Sequence, residues 1–162
     1  MITANKVPEE SVLVRNPVNY ELKTDNYIST AGTKARCEIL FTNNTNAGPI
    51  TFTFLGKTIV MTGVATPDNS GLQFDDYGAT VNDFIAAFIL SCLENKDIND
   101  NYDVAIGFPV NLVVFTAKTA GVKYNIGVST AISGTTVGVY AGVDTVYRER
   151  FKILHDVFFE KF

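Results

Sequence analysis

Tryptophan is absent from the chain and histidine occurs once, at His155. A single imidazole leaves little for nucleophilic catalysis. A Ser-His-Asp or Cys-His set would need His155 as its base, and no nucleophile stands in an elbow motif. Without tryptophan the usual platform for stacking sugars is missing. Cysteine occurs twice, at Cys37 and Cys92, too few for a disulfide framework. Cys37 falls in an alternating strand pattern and Cys92 in an apolar helix, so each reads as a small buried hydrophobe. Two cysteines and one histidine make three soft ligands, one short of a structural zinc site. Positive charge is scarce as well. Thirteen Lys and Arg face 17 Asp and Glu, for a net charge of −4, which excludes a basic nucleic-acid binder. The densest basic stretch, Arg148, Arg150 and Lys152, would share one face of a strand and reads as a solvated face. Long hydrophobic runs are missing too. The longest, Phe84 to Leu90, is far too short to span a bilayer, and Met1 to Glu10 lacks the apolar stretch of a signal peptide.

What is present is an ordinary globular composition. The 162 residues are 46% apolar and 19% charged, which suits one domain able to bury its own core and argues against wholesale disorder. Residues 1–10 are polar, with Pro8 and two acids, and read as an extended N-terminal arm ahead of a single β-rich domain over 11–162. Val18 to Leu22 reads as a short strand and Thr24 to Thr33 as a loop. Lys34 to Thr42 alternates cleanly, with Ala35, Cys37, Ile39 and Phe41 on one side. Ile50 to Phe54 and Thr58 to Thr62 alternate around Gly56-Lys57, which suggests a type II′ turn, so Lys34 to Thr62 predicts a three-stranded meander. Gly63 to Tyr77 reads as a longer loop.

Thr80-Val81-Asn82-Asp83 is the sharpest local signal. Thr80 and Asp83 form a variant capping box, and Phe84, Ile85, Phe88, Ile89 and Cys92 recur at helical spacing, predicting one main helix over about 81–94. Asn95 and the polar run to Asp103 end it. Strand patterns return at Tyr102 to Ile106, Asn111 to Ala117, Val122 to Val128 and Thr136 to Tyr140; Val146 to Phe162 reads as helix or strand, its alternation favouring strand through Ile153 and a second extended piece at Asp156 to Phe162. The stretches Phe41 to Gly48 and Phe115 to Gly121 echo one another, both reading as strand, turn, strand.

Few residues suggest chemistry. Asp97, Asn99, Asn101 and Asp103 fall at the first four odd positions of a calcium loop. Tyr102 replaces the turn glycine and Phe108 the bidentate glutamate, so the competing reading is a polar connection. Asp75 and Asp76 could serve as a carboxylate pair, although adjacent loop acids are usually solvated. There is no Walker loop and no G-x-G-x-x-G, and Gly134, Gly138 and Gly142 do not precede a helix, so no cofactor and no catalytic residue are expected. Phe158, Phe159 and Phe162 at one end, with Val7 and Pro8 at the other, are candidates for contact with neighbouring subunits or for the chain's own core.

Thr80 to Val128 has a further property. The capped apolar helix, Tyr102-Asp103-Val104, and then Phe115-Thr116-Ala117-Lys118-Thr119-Ala120-Gly121-Val122-Lys123-Tyr124-Asn125 resemble a recurring module of bacteriophage tail proteins, in which a helix precedes a Thr-Ala-Lys…Gly…Asn hairpin. Arg15-Asn16-Pro17-Val18 and Phe151 to Glu160 are similar to short virion proteins from phages of Bacteroides-type hosts. The resemblance covers about a third of the chain. It implies a tail-tube-like antiparallel β-sandwich or barrel flanked by one helix. It also implies a structural, non-enzymatic role in a tail, neck ring or baseplate, assembled in the host cytoplasm. The implied partners are copies of itself in a ring and other virion proteins, with DNA passing unbound and no membrane. A carbohydrate-binding or host-adhesion module is the rival expectation, and a small hydrolase using Asp75 or Asp76 a third.

Overall fold

The computed structural model describes the backbone of residues 21–44 and 48–154, and side chains for residues 30–44 and 48–147. The expected arm over 1–10 lies outside them. The chain divides into two compact units, one built from its two ends and the other from Thr30–Val146. In the first, β1 (Glu21–Thr30) and β10 (Val146–Leu154) form a two-stranded sheet. The expected loop over Thr24 to Thr33 is therefore mostly strand. Its residues show no clean apolar alternation, and the strand depends on a pairing more than 100 residues away in sequence.

The second unit is a two-sheet sandwich with one main helix, and neither sheet closes into a barrel. The first sheet has the order β6 (Tyr102–Ile106), β7 (Leu112–Ala120), β2 (Lys34–Phe41), β9 (Thr135–Tyr140), all antiparallel. The second runs β5 (Gln73–Asp75), β4 (Lys57–Val64), β3 (Pro49–Phe54), β8 (Gly127–Thr130), antiparallel except for β4 with β5. The predicted meander is thus split: β2 lies in one sheet and the β3–β4 hairpin in the other. The predicted Thr-Ala-Lys…Gly…Asn hairpin is split in the same way. After β7 the chain makes a 3₁₀ turn at Val122–Tyr124 and enters the opposite sheet as β8. The echoing stretches therefore mark equivalent crossovers. β2 pairs with β7 and β3 pairs with β8; the first crossover leaves β2 at buried Phe41, and the second leaves β7 at Ala120, five residues after buried Phe115. Gly48 and Gly121 turn the chain there at φ +145° and +129°, values that side chains rarely adopt.

The inward side chains behave as the alternation requires: Ala35, Cys37, Ile39 and Phe41 are fully buried, as are Val113, Phe115 and Ala117. Phe52 meets Phe115 across the sandwich with ring centroids 5.2 Å apart, and Phe54 meets Tyr102 edge-on at 4.9 Å. The helix α1 (Val81–Glu94) closes one open side of the sandwich, against the edge strands β5 and β6. Its Phe84 and Phe88 pack edge-on against Phe41 of one sheet and Phe74 of the other. Such pairs contribute about 0.5–1.5 kcal/mol each beyond the area they bury. The predicted capping box is present: Thr80 Oγ1 accepts from the Asp83 amide at 3.2 Å, and the Asp83 carboxylate accepts from the Thr80 amide at 2.9 Å. Among the described residues, no such helix packs against the opposite side of the sandwich, along β8 and β9.

Candidate functional site

The acidic run offered as a calcium loop is a helix. Asn95 ends α1 and starts α2 (Lys96–Asn101), its side-chain oxygen accepting from the Ile98 amide at 3.1 Å. The helix keeps Asp97 and Asn101 on one face but turns Asn99 to another, and Asp103 lies beyond it. Asp97 takes an ion pair from Lys57 at 2.5 Å, the Asn101 amide donates to the Asp97 carbonyl, and the Asn99 carbonyl receives Lys118. Asp103 lies on β6, opposite Thr116. Among the described residues, no three His, Cys, Asp or Glu side chains come together as a metal set. The six-residue helix was missed because it is polar, with Ile98 its only buried member.

Asp75 ends β5 and its carboxylate accepts from the Tyr77 amide at 3.1 Å, the local turn that adjacent loop acids commonly make. Cys37 and Cys92 are both buried free thiols, as their patterns predict. Burial, then the neighbouring Glu38 charge, pushes the Cys37 thiol up to about 12, and burial alone raises Cys92. Neither is an available nucleophile at neutral pH. Val7, Pro8, His155, Phe158, Phe159 and Phe162 lie outside the described residues, as do the side chains of Arg148, Arg150 and Lys152. Among the described residues, no helix is long and apolar enough to cross a membrane.

The structure places an unexpected feature on the outer face of the first sheet. The β6–β7 loop is tied down by Gly107 N–H to the Leu112 carbonyl (2.7 Å) and Leu112 N–H to the Pro109 carbonyl (2.9 Å). On it Phe108 is 92% exposed, and Ile106 and Val110 are more than half exposed. Beside the loop an open groove of about 360 Å³ has Leu40 and Leu112 in its lining and Tyr140 at its border. The Tyr140 hydroxyl donates to Glu38 at 3.2 Å, and Glu38 also holds Arg36 at 2.5 Å. The floor follows from register: Leu40 pairs with Leu112 on one side and Thr136 on the other, so three strands put small and apolar side chains in one outward row. The only sequence sign was Leu40 and Leu112 on the nominally polar side of their strands.

No protein-family model matches the chain, and a comparison with curated proteins finds no match either.

Proposed function

We propose that this chain is a non-enzymatic structural subunit of a bacteriophage virion, in the tail, neck ring or baseplate, that works by ring assembly and contact with its neighbours. The observation that carries the reading is Phe108: a phenylalanine 92% exposed on a hydrogen-bonded loop, flanked by exposed Ile106 and Val110. Displaying apolar side chains on a braced loop costs solubility unless a neighbour covers them. The sequence resemblance of Thr80 to Val128, and of Arg15 to Val18 and Phe151 to Glu160, to phage virion proteins supplies the context. Electron microscopy of the purified chain tests it. Closed rings burying more than about 1,000 Å² per contact are expected. Phe108→Ser should reduce ring formation while leaving the melting temperature unchanged, because the ring touches little of its own fold. A monodisperse monomer at high concentration would rule the reading out.

One observation favours the adhesion alternative. Phe108 and Tyr140 flank a groove that also holds the Glu38 carboxylate, a pairing of ring faces with an acceptor that suits a sugar. Glycan binding lost in Tyr140→Ala, with no change in assembly, would select it.

A further inference from the structure

We infer that β9 is a self-complementary edge through which two copies of this chain join their first sheets, pairing antiparallel about Gly138. This deepens the assembly reading by naming a surface on which copies meet, and it rests on that reading only for its setting. Three observations lead to it. First, β9 ends its sheet: β2 occupies one side, and among the described residues no strand occupies the other. Among the described residues, α1 covers the opposite end of the sandwich and no helix covers this one. Second, the edge carries none of the usual protection. Thr135-Thr136-Val137-Gly138-Val139-Tyr140 has no charge and no proline, and it is β-branched at four of six positions. A chain with net charge −4 repels its own copies, so an uncharged edge is where they approach at least cost. Third, Val139 points to the core side, opposite fully buried Cys37, yet is 49% exposed, because the sheet stops beside it.

The occupant follows from symmetry. A two-fold contact requires that if residue i meets j, then j meets i. Thr-Val-Gly-Val-Tyr is nearly palindromic about Gly138, so antiparallel self-pairing sets Val137 against Val139 of the second copy, and Thr136 against Tyr140 of the second copy. The existing registers then extend without a break. On the core side the row reads Val113, Ile39, Val137, then Val139, Cys37 and Phe115 of the second copy, apolar throughout. On the outer side, Tyr140 of the second copy arrives beside Thr136, at the groove beneath Phe108. The same pairing therefore covers Val139, Tyr140 and part of the exposed apolar loop. Closure of a ring falls to other surfaces, since a two-fold contact only makes pairs.

The register can be tested with one thiol. Directly opposed residues of an antiparallel pair lie about 4.5–5.5 Å apart at Cα, within disulfide reach. Gly138 is the one position that faces itself, and a side chain there meets its nearest neighbour, the Tyr140 hydroxyl, at an ordinary 3.5 Å. The native thiols are buried. Gly138→Cys under mild oxidation should give a covalent dimer on a non-reducing gel, whereas Thr136→Cys should not. Val139→Lys, which places a charge on the joined core row, should weaken self-association about tenfold or more in sedimentation, with an unchanged circular dichroism spectrum. Should Val139→Lys fail to fold, the Gly138→Cys gel still decides. Multimers that form without the 138–138 cross-link overturn β9 pairing and leave the assembly reading intact. A cross-linked pair with no larger ring upholds the pairing and removes the ring.

Discussion

Leu55 holds the backbone at φ +51° and Gly56 at +71°, so the β3–β4 hairpin turns through two left-handed residues, Leu55 and Gly56, with Phe54 paired to Lys57. This corrects the expected turn at Gly56-Lys57 by one residue and changes its type from II′ to I′, the type whose twist matches the strands. Leucine carries a steric cost in that conformation of about 1–2 kcal/mol. Leu55 is partly exposed, so little packing is lost on replacement. Leu55→Asn, which makes the favoured Asn-Gly pair, should raise stability by about 1 kcal/mol in urea denaturation. The glycine marked the turn in the sequence. Its exact position was hidden because leucine rarely occupies a left-handed site.

The elements differ in how far local chemistry determines them. α1 is written out in its own residues: an N-cap at Thr80, an acid at Asp83 and apolar residues at helical spacing. Asn95 shows the limit of such reading. As the end of a helix it was visible, but its side chain also caps α2 and donates to the Gly71 carbonyl at 2.9 Å, in a buried position. Thr80→Ala should cost about 1 kcal/mol, the ordinary value of a lost cap. Asn95→Ala removes a cap and strands a buried carbonyl, and should cost about 2–4 kcal/mol by chemical denaturation. Equal losses in the two variants would refute the double role. β1 shows the opposite extreme, because its strand depends on β10 more than on its own pattern.

At the scale of the whole molecule, three ionisable groups among the described residues, Cys37, Cys92 and Tyr102, are buried in the interior. Burial, together with nearby Cys37 and Tyr124, pushes Tyr102 up to about 12 from an ordinary 10.0, alongside the raised Cys37 and Cys92 thiols. In the unfolded chain the thiols ionise near 9.0, whereas in the fold they stay neutral well above that. Each folded pKa lies above its unfolded value, so the contribution is fully present below about pH 9 and declines as pH rises toward 12. The melting temperature should be flat from neutrality to about pH 8.5 and fall beyond it. Cys37→Ala should lower overall stability but make that alkaline slope shallower. A slope unchanged by the substitution would show that the Cys37 thiol plays no part.

Periodicity by itself determined that the chain is mainly β with one capped helix, and it selected most of the inward side chains, including both cysteines. Those features depend on residues two to four apart, whose spacing decides which face they share. Tertiary structure alone decided the partners. β2 could have continued into the β3–β4 hairpin, but pairing with β7 and β9 buries its apolar face against a second sheet, as a flat meander could not. The same choice left β9 at an edge and lifted Phe108 clear of the core, because which strand lies outermost is set by contacts far apart in sequence.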